Sequence, residues 1–256
     1  MPCLKAFIIP AESCIFKWSG YKTIKGNRVA EKHLIWDLPL RIFHWGFAVT
    51  ILAAWYTAEQ GADLVDIHMQ LGFVALALIA FRILWGLIGP KHARFSQFFP
   101  SPKTLISYLR NTDTNKTTAG HNPLGALMVI LMILLISAQA ISGLFINDDV
   151  FSSGPYYGSI SNDLEKIMKF IHHNVFDFMI AAIVLHIGAI TFYWRVKKEN
   201  LVLPMITGKK TTDHVKSSDA IPHSKIILGC IVAVCCIIFV YWLVVVNAPV
   251  IEEFYY

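Results

Sequence analysis

Two histidines fourteen residues apart, His172 and His186, bracket an otherwise apolar run, HHNVFDFMIAAIVLH. On an α-helix fourteen residues turn through about 1400°, roughly 40° short of four full turns, so both imidazoles share one face. At about 1.5 Å per residue they stand roughly 21 Å apart along the axis, most of a hydrocarbon core of about 30 Å. Neutral imidazole is a common metal ligand, so the pair points to two metal centres stacked at opposite depths of a membrane. His173 faces elsewhere. A single intramembrane histidine is often only a hydrogen-bonded packing residue, so ligation requires partners on other helices.

Such partners exist. His44 lies about one and a half turns into WDLPLRIFHWG, and His68 opens HMQLGFVALALIAFRILWGLIGP. This gives an inner level of His44 and His186 and an outer level of His68 and His172. Each pair comes from two helices, so a haem can lie between them with both axial positions filled. Such an iron has no open position for oxygen or substrate and is suited to one-electron transfer. Zinc fits less well, because it wants a third or fourth ligand at each level. The five cysteines (Cys3, Cys14, Cys230, Cys235 and Cys236) form neither C-x-x-C nor C-x-x-C-H, and read as packing residues.

Gly72, one turn after His68, would let a flat macrocycle approach the backbone. Arg82 follows His68 by fourteen residues, on the same face at the opposite depth. A charge there costs about 2.5–3.5 kcal/mol on insertion scales. A ligand carboxylate is its economical partner; the alternative is that it snorkels to the headgroups. Arg41 shares the face of His44, nearer the headgroups. His121, in GHNPLG at the mouth of the third span, is placed to touch a ligand's polar edge or a quinone head group, or only to cap a helix. His33 is expected in water or at the interface, binding nothing, with Trp36 and Trp45 in an interfacial belt.

The elements that must position these residues are membrane helices. Hydrophobic residues make up 55% of the 256 and charged ones 15%, with a mean hydropathy of +0.55. Five stretches are long enough to span: Leu38–Tyr56, Ile67–Ile88, Leu124–Ile146, His172–Trp194 and Ile226–Val246. The expected fold is an all-α polytopic membrane protein, a four-helix haem-binding bundle plus a fifth transmembrane helix. Residues 1–33 read as an N-terminal tail, 34–200 as the di-haem domain, 201–225 as a basic linker, and 226–256 as the fifth helix and outer tail. That helix carries no histidine; its apolar face reads as an anchor or subunit contact, compatible with a homo-oligomer.

Basic residues gather before the first span (Lys22, Lys25, Arg28, Lys32), between the second and third (Lys91, Arg94, Lys103, Arg110, Lys116), and between the fourth and fifth (Arg195, Lys197, Lys198, Lys209, Lys210). The other connections carry Glu59, Asp63 and Asp66, then Asp148, Asp149, Asp163 and Glu165, and the tail ends in Glu252 and Glu253. By the positive-inside rule the N-terminus is cytoplasmic and the C-terminus outside. The basic loops are thereby explained without nucleic acid. Pro102 to Arg110 reads as a short amphipathic interfacial helix capped by Ser101. The long aromatic outer loop before His172, whose second half reads as a helix, is the natural docking surface for an extracytoplasmic partner.

The motifs WDLPLRIFHW, HMQLGFVALALIAFRILWGLIGPKHARFSQF, GHNPLG and HHNVFDFMIAAIVLH, in this order over about residues 34–200, resemble the bacterial cytochrome b561 and nickel–iron-hydrogenase b-type cytochrome family. The resemblance implies four helices holding two b haems, with ligands at His44, His68, His172 and His186, and basic residues Arg41 and Arg82 near the propionates. One departure stands out: an acidic residue common after the fourth-span ligand is replaced by His173, a fallback ligand. The implied function is electron transfer across the bacterial inner (plasma) membrane, within respiratory electron transport. It would run between the quinone pool and an extracytoplasmic hydrogenase, c-type cytochrome or other dehydrogenase. A stand-alone quinone oxidoreductase fed by superoxide or another small donor would need the same haems. A haem-free transporter or scaffold would use the histidines for protons, metal or packing. No dinucleotide, flavin or iron–sulfur motif is present. The topology predicts that a periplasm-dependent reporter fused after Tyr256 is active and the same reporter inserted between Lys103 and His121 is silent; the reverse pattern would invert the assigned orientation.

Overall fold

The computed structural model describes residues 31–110, 119–148, 152–211 and 215–249. Most of the expected tail, with Cys3, Cys14, Lys22, Lys25 and Arg28, lies outside the described residues, as do Lys116, Asp149, Glu252 and Glu253.

A short strand β1 (Lys32–Leu34) leads into α1 (Leu38–Glu59). After a 3-10 turn, α2 (Val65–Ile88) runs back. Two short helices follow, α3 (Phe95–Phe98) and α4 (Pro102–Leu109), then α5 (Pro123–Gly143) and α6 (Asn162–Arg195). The chain closes through α7 (Val202–Thr207), strand β2 (Lys209–Thr211) and α8 (Ile226–Tyr241). One wider turn extends α8, closed by the Asn247 N–H on the Trp242 carbonyl at 2.8 Å. Five helices (α1, α2, α5, α6 and α8) are long and apolar enough to cross a membrane, and their outer faces expose leucine, isoleucine, valine and phenylalanine, as lipid contact requires. The chain is an all-α polytopic membrane protein, and its sequence-based spans agree with the helices within a few residues. The exception is α6, where the amphipathic segment of the outer loop and the fourth span form one unbroken helix.

Helix starts follow local chemistry. Ser101 Oγ accepts from the Thr104 N–H at 3.1 Å, and Asn122 Oδ1 from the Gly125 N–H at 2.7 Å, each with proline in the first turn. Asp37 caps α1 by accepting from the Leu40 N–H at 2.9 Å. The same oxygen accepts from Trp85 Nε1, near the far end of α2, at 2.9 Å. Asp37 and Trp85 are 1% and 0% exposed. Burial raises the Asp37 carboxyl above its ordinary value, and these two hydrogen bonds oppose the shift.

The segment expected as a plain linker over 201–225 instead folds back onto the start of α1. β2 pairs antiparallel with β1, matching His33 with Lys210. The Gly208 carbonyl accepts from the Ile35 and Trp36 N–H groups, and the Leu34 carbonyl from Ile221. Gly208 has φ +81°, and an added Cβ would stand 2.7 Å from the Trp36 carbonyl oxygen, so only glycine fits this turn. Lys91 bridges Asp219 at 2.9 Å, and His92 Nε2 meets the Asp219 carbonyl at 2.7 Å. Two expectations are corrected here: strand pairing buries His33 to 7% exposure, and Trp36, also 7% exposed, packs inside this cap and not in an interfacial belt. Trp45 does lie on the surface, 43% exposed.

Removing the shared acceptor would leave two buried donors unpaired, each costing about 1–3 kcal/mol. Asp37→Ala is therefore expected to lower the thermal midpoint in detergent clearly, and Asp37→Asn, which keeps an acceptor oxygen, to lower it less.

Candidate functional site

The packing of the bundle leaves room in its middle. α5 lies along α6, and α2 packs on α1, α5 and α8, but α6 has no comparably close backbone packing with α1 or α2. It meets them through side chains, at two levels. Near the basic end of the bundle the His44 ring on α1 stands 6.4 Å, centroid to centroid, from the His186 ring on α6. Near the acidic end the His68 ring on α2 stands 6.2 Å from His172 on α6. The structure thus brings together both histidine pairs expected from the spacing.

These separations have a chemical meaning. An imidazole nitrogen binds a first-row transition metal at about 2.0 Å and the ring centroid lies about 1.1 Å behind it, so two rings sharing one ion on a common axis stand about 6.2 Å apart. Among the described residues no group of three or more histidine, cysteine or acidic side chains could enclose a bare ion. Two nitrogens per level suit an ion whose other ligands come from a macrocycle. The outer pair borders a cavity of about 730 Å³, also lined by Gly72, Gln139, Gly143 and Phe176, within the usual range for a small-molecule site. A Cβ on Gly72 would meet nothing within 4 Å, so open space lies against that backbone, as expected for a flat ligand.

Main-chain carbonyls orient the outer pair. His68 Nδ1 lies 2.9 Å from the Ala54 oxygen and His172 Nδ1 2.9 Å from the Gln139 oxygen. A carbonyl only accepts, so each Nδ1 carries the proton and each Nε2 lone pair is free for a metal. Ser142 Oγ adds a contact to His172 Nδ1 at 3.3 Å, and Gly143 lets the ring approach, since a Cβ there would stand 3.0 Å from it. Gln139, Ser142 and Gly143 together position His172. Their spacing over just over one turn of α5 was the available signal, but it needed α6 beside it. His173 is exposed and lines the same cavity, its ring 6.1 Å from that of His172 and perpendicular to it. Between the levels, Ile79, Ile136 and Met179 form an apolar layer with Phe47, Ile51, Phe176 and Ile183 against it.

The basic residues behave differently from one another. Arg82 is 2% exposed, so it does not snorkel. Its Nη1 donates to the Ala93 carbonyl at 3.2 Å, its guanidinium lies 4.6 Å over the Phe95 ring, and its Nη2 is buried without a partner. Asp37 is the protein carboxylate whose charge it feels. Asp177, an acidic residue inside α6, is exposed on the outside of the bundle and does not serve it. Arg41 donates to the Ile206 carbonyl of α7 and leaves a buried Nε unpartnered. His121 does not cap α5, since Asn122 does. Its ring stands 4.7 Å from Trp36 and 4.6 Å from Phe98, with a buried, unpartnered Nδ1. Burial, reinforced by the nearby Arg82 charge, pushes the His121 imidazole down to about 3, so it is neutral near pH 7. A second groove of about 600 Å³, almost wholly apolar, is lined by residues of α1, α2 and α8 and by no histidine.

Comparison with curated proteins and with solved structures finds no match. The family described as prokaryotic cytochrome b561 matches residues 35–208, a range that holds all four histidines and both arginines and stops before α8. With five membrane-crossing helices and more than half its length matched, the chain belongs to the prokaryotic cytochrome b561 family of membrane b-type cytochromes.

Proposed function

We propose that the chain binds two non-covalent b haems with bis-histidine ligation, one between His44 and His186 and one between His68 and His172. It passes electrons across the bacterial inner membrane between the quinone pool and an extracytoplasmic redox protein such as a hydrogenase or c-type cytochrome. The observation that carries this reading is the ring spacing of 6.4 Å and 6.2 Å at the two levels. Bound haem supplies a one-electron couple whose iron has no free coordination position.

The chain's own residues do the rest. Ala54 and Gln139 fix the outer imidazoles in the tautomer that presents Nε2, so no proton need leave on ligation. The Ile79, Ile136 and Met179 layer keeps water from the space between levels, which lowers the local dielectric and holds both centres in a dry path. Arg82 and Arg41 bring positive charge to the inner level, where propionate carboxylates would need it. Membrane lipids cover the exposed apolar faces. The N-terminus is assigned to the cytoplasm and the C-terminus to the periplasm by loop charge, which puts the His44 level inside.

Purified protein should contain two non-covalent haems per chain and give a reducible b-type spectrum. His44→Ala or His186→Ala should each remove one haem and leave the other; loss of both, or of neither, would overturn the pairing. Gly72→Leu should leave the haem-free fold at least as stable, because its side chain enters open space and relieves about 0.5–1 kcal/mol of helical glycine penalty. The same substitution should empty the outer haem site selectively. The redox protein that copurifies from gently solubilised membranes identifies the partner.

A further inference from the structure

Buried nitrogens without partners collect at the basic end of the bundle, among them His121 Nδ1, Arg82 Nη2 and Arg94 Nε, with Arg41 Nε as a fourth. Their surroundings tie them to one place. Arg82 lies over the Phe95 ring and 5.9 Å from the centroid of Phe98, and the Phe98 ring lies 4.6 Å from His121. Arg94 directly follows the Ala93 carbonyl to which Arg82 donates. Among neighbouring charges His121 feels Arg82 most, then Lys210, His92 and, last, His44. Three of the described carboxylates of this end are spent elsewhere. Asp37 serves Leu40 and Trp85, Asp219 holds Lys91 at 2.9 Å, and Glu199 faces Lys210 at 3.7 Å. Buried donors are rarely left unmade, because each costs about 1–3 kcal/mol. A cluster of arginine donors and an imidazole nitrogen, walled by aromatic rings, calls for an anionic acceptor that the described residues do not supply.

We propose that His121 is a haem-positioning residue: its Nδ1–H, beside Arg82 Nη2 and with Arg94 nearby, receives a propionate carboxylate of the haem between His44 and His186. The assignment rests on the function proposed above and extends it. A neutral imidazole donates one hydrogen bond without adding a second charge next to Arg82, and the flanking Trp36 and Phe98 rings fix its plane. A hydrogen bond to the propionate withdraws negative charge from the neighbourhood of the iron and so favours the reduced state. Its loss favours the oxidised one.

The test is spectroelectrochemical titration of both haems in purified full-length protein. In His121→Phe the inner haem should shift toward the oxidised form by up to about tenfold at a fixed ambient potential, about 59 mV for one electron, with the outer haem unchanged. His121→Gln, whose amide keeps an N–H donor, should reverse most of the shift. Asn122→Ala removes the α5 cap and leaves His121; it should lower thermal stability without moving either potential. The proposal is overturned if His121→Phe leaves the inner potential alone, if Asn122→Ala moves it equally, or if only quinone reduction is lost. A wild-type chain that binds no haem would instead overturn the reading on which this one rests.

Discussion

Everything at the centre of this protein depends on a near-commensurability in the α-helix. Fourteen residues are close to four turns, so one straight helix can present two imidazoles on the same line at two depths. α6 runs for 34 residues without a break. A single inserted residue between His172 and His186 would rotate one ring by about 100° away from its partner. The rigidity of α6 comes from α5, against which it packs most closely, while α1 and α2 supply the opposing histidines from across a gap. The helices that hold α6 and the helices that face it are therefore different ones, and a ligand-sized space can exist between them without destabilising the bundle.

The two levels are not equivalent. At the outer one, carbonyl oxygens of α1 and α5 lock both Nδ1 atoms, so the histidines are oriented by the fold itself. At the inner one, His44 Nδ1 is buried without a protein partner, and buried arginine and histidine donors crowd the same end. The outer site is polarised by main chain, and the inner site by cationic side chains.

The cap at the basic end explains how the inner level keeps its shape. α1 begins at Asp37, whose carboxylate joins its first turn to Trp85 on α2, and β1 and β2 tie the same point to the segment before α8. His44 sits two turns further on. A start of α1 free to fray would leave His44 free to turn; the cap removes that freedom. α8, which lies outside the family match, packs against α2 and adds apolar contacts to this cluster through Val232 and Cys236.

Much of this is written in the chain. Hydrophobic run length, loop charge and histidine spacing are local or one-dimensional properties, and they determine the five spans, the short helix after Ser101 and the two depths at which histidines stand. What they cannot contain is any relation across helices that does not repeat along one. His33 carries no sequence mark of burial, because the strand that buries it comes some 175 residues later, and Trp36 none, because its rings of contact come from His92 and His121. Gln139, Ser142 and Gly143 look like packing on α5 until His172 is set against them. Asp177 was not available to Arg82, because position along a span says nothing about which way a side chain faces. The sequence by itself determined which residues can share a helix face and at what depth. Only the tertiary structure decided which faces meet, because that depends on the combined packing of all five helices and the cap that joins their ends.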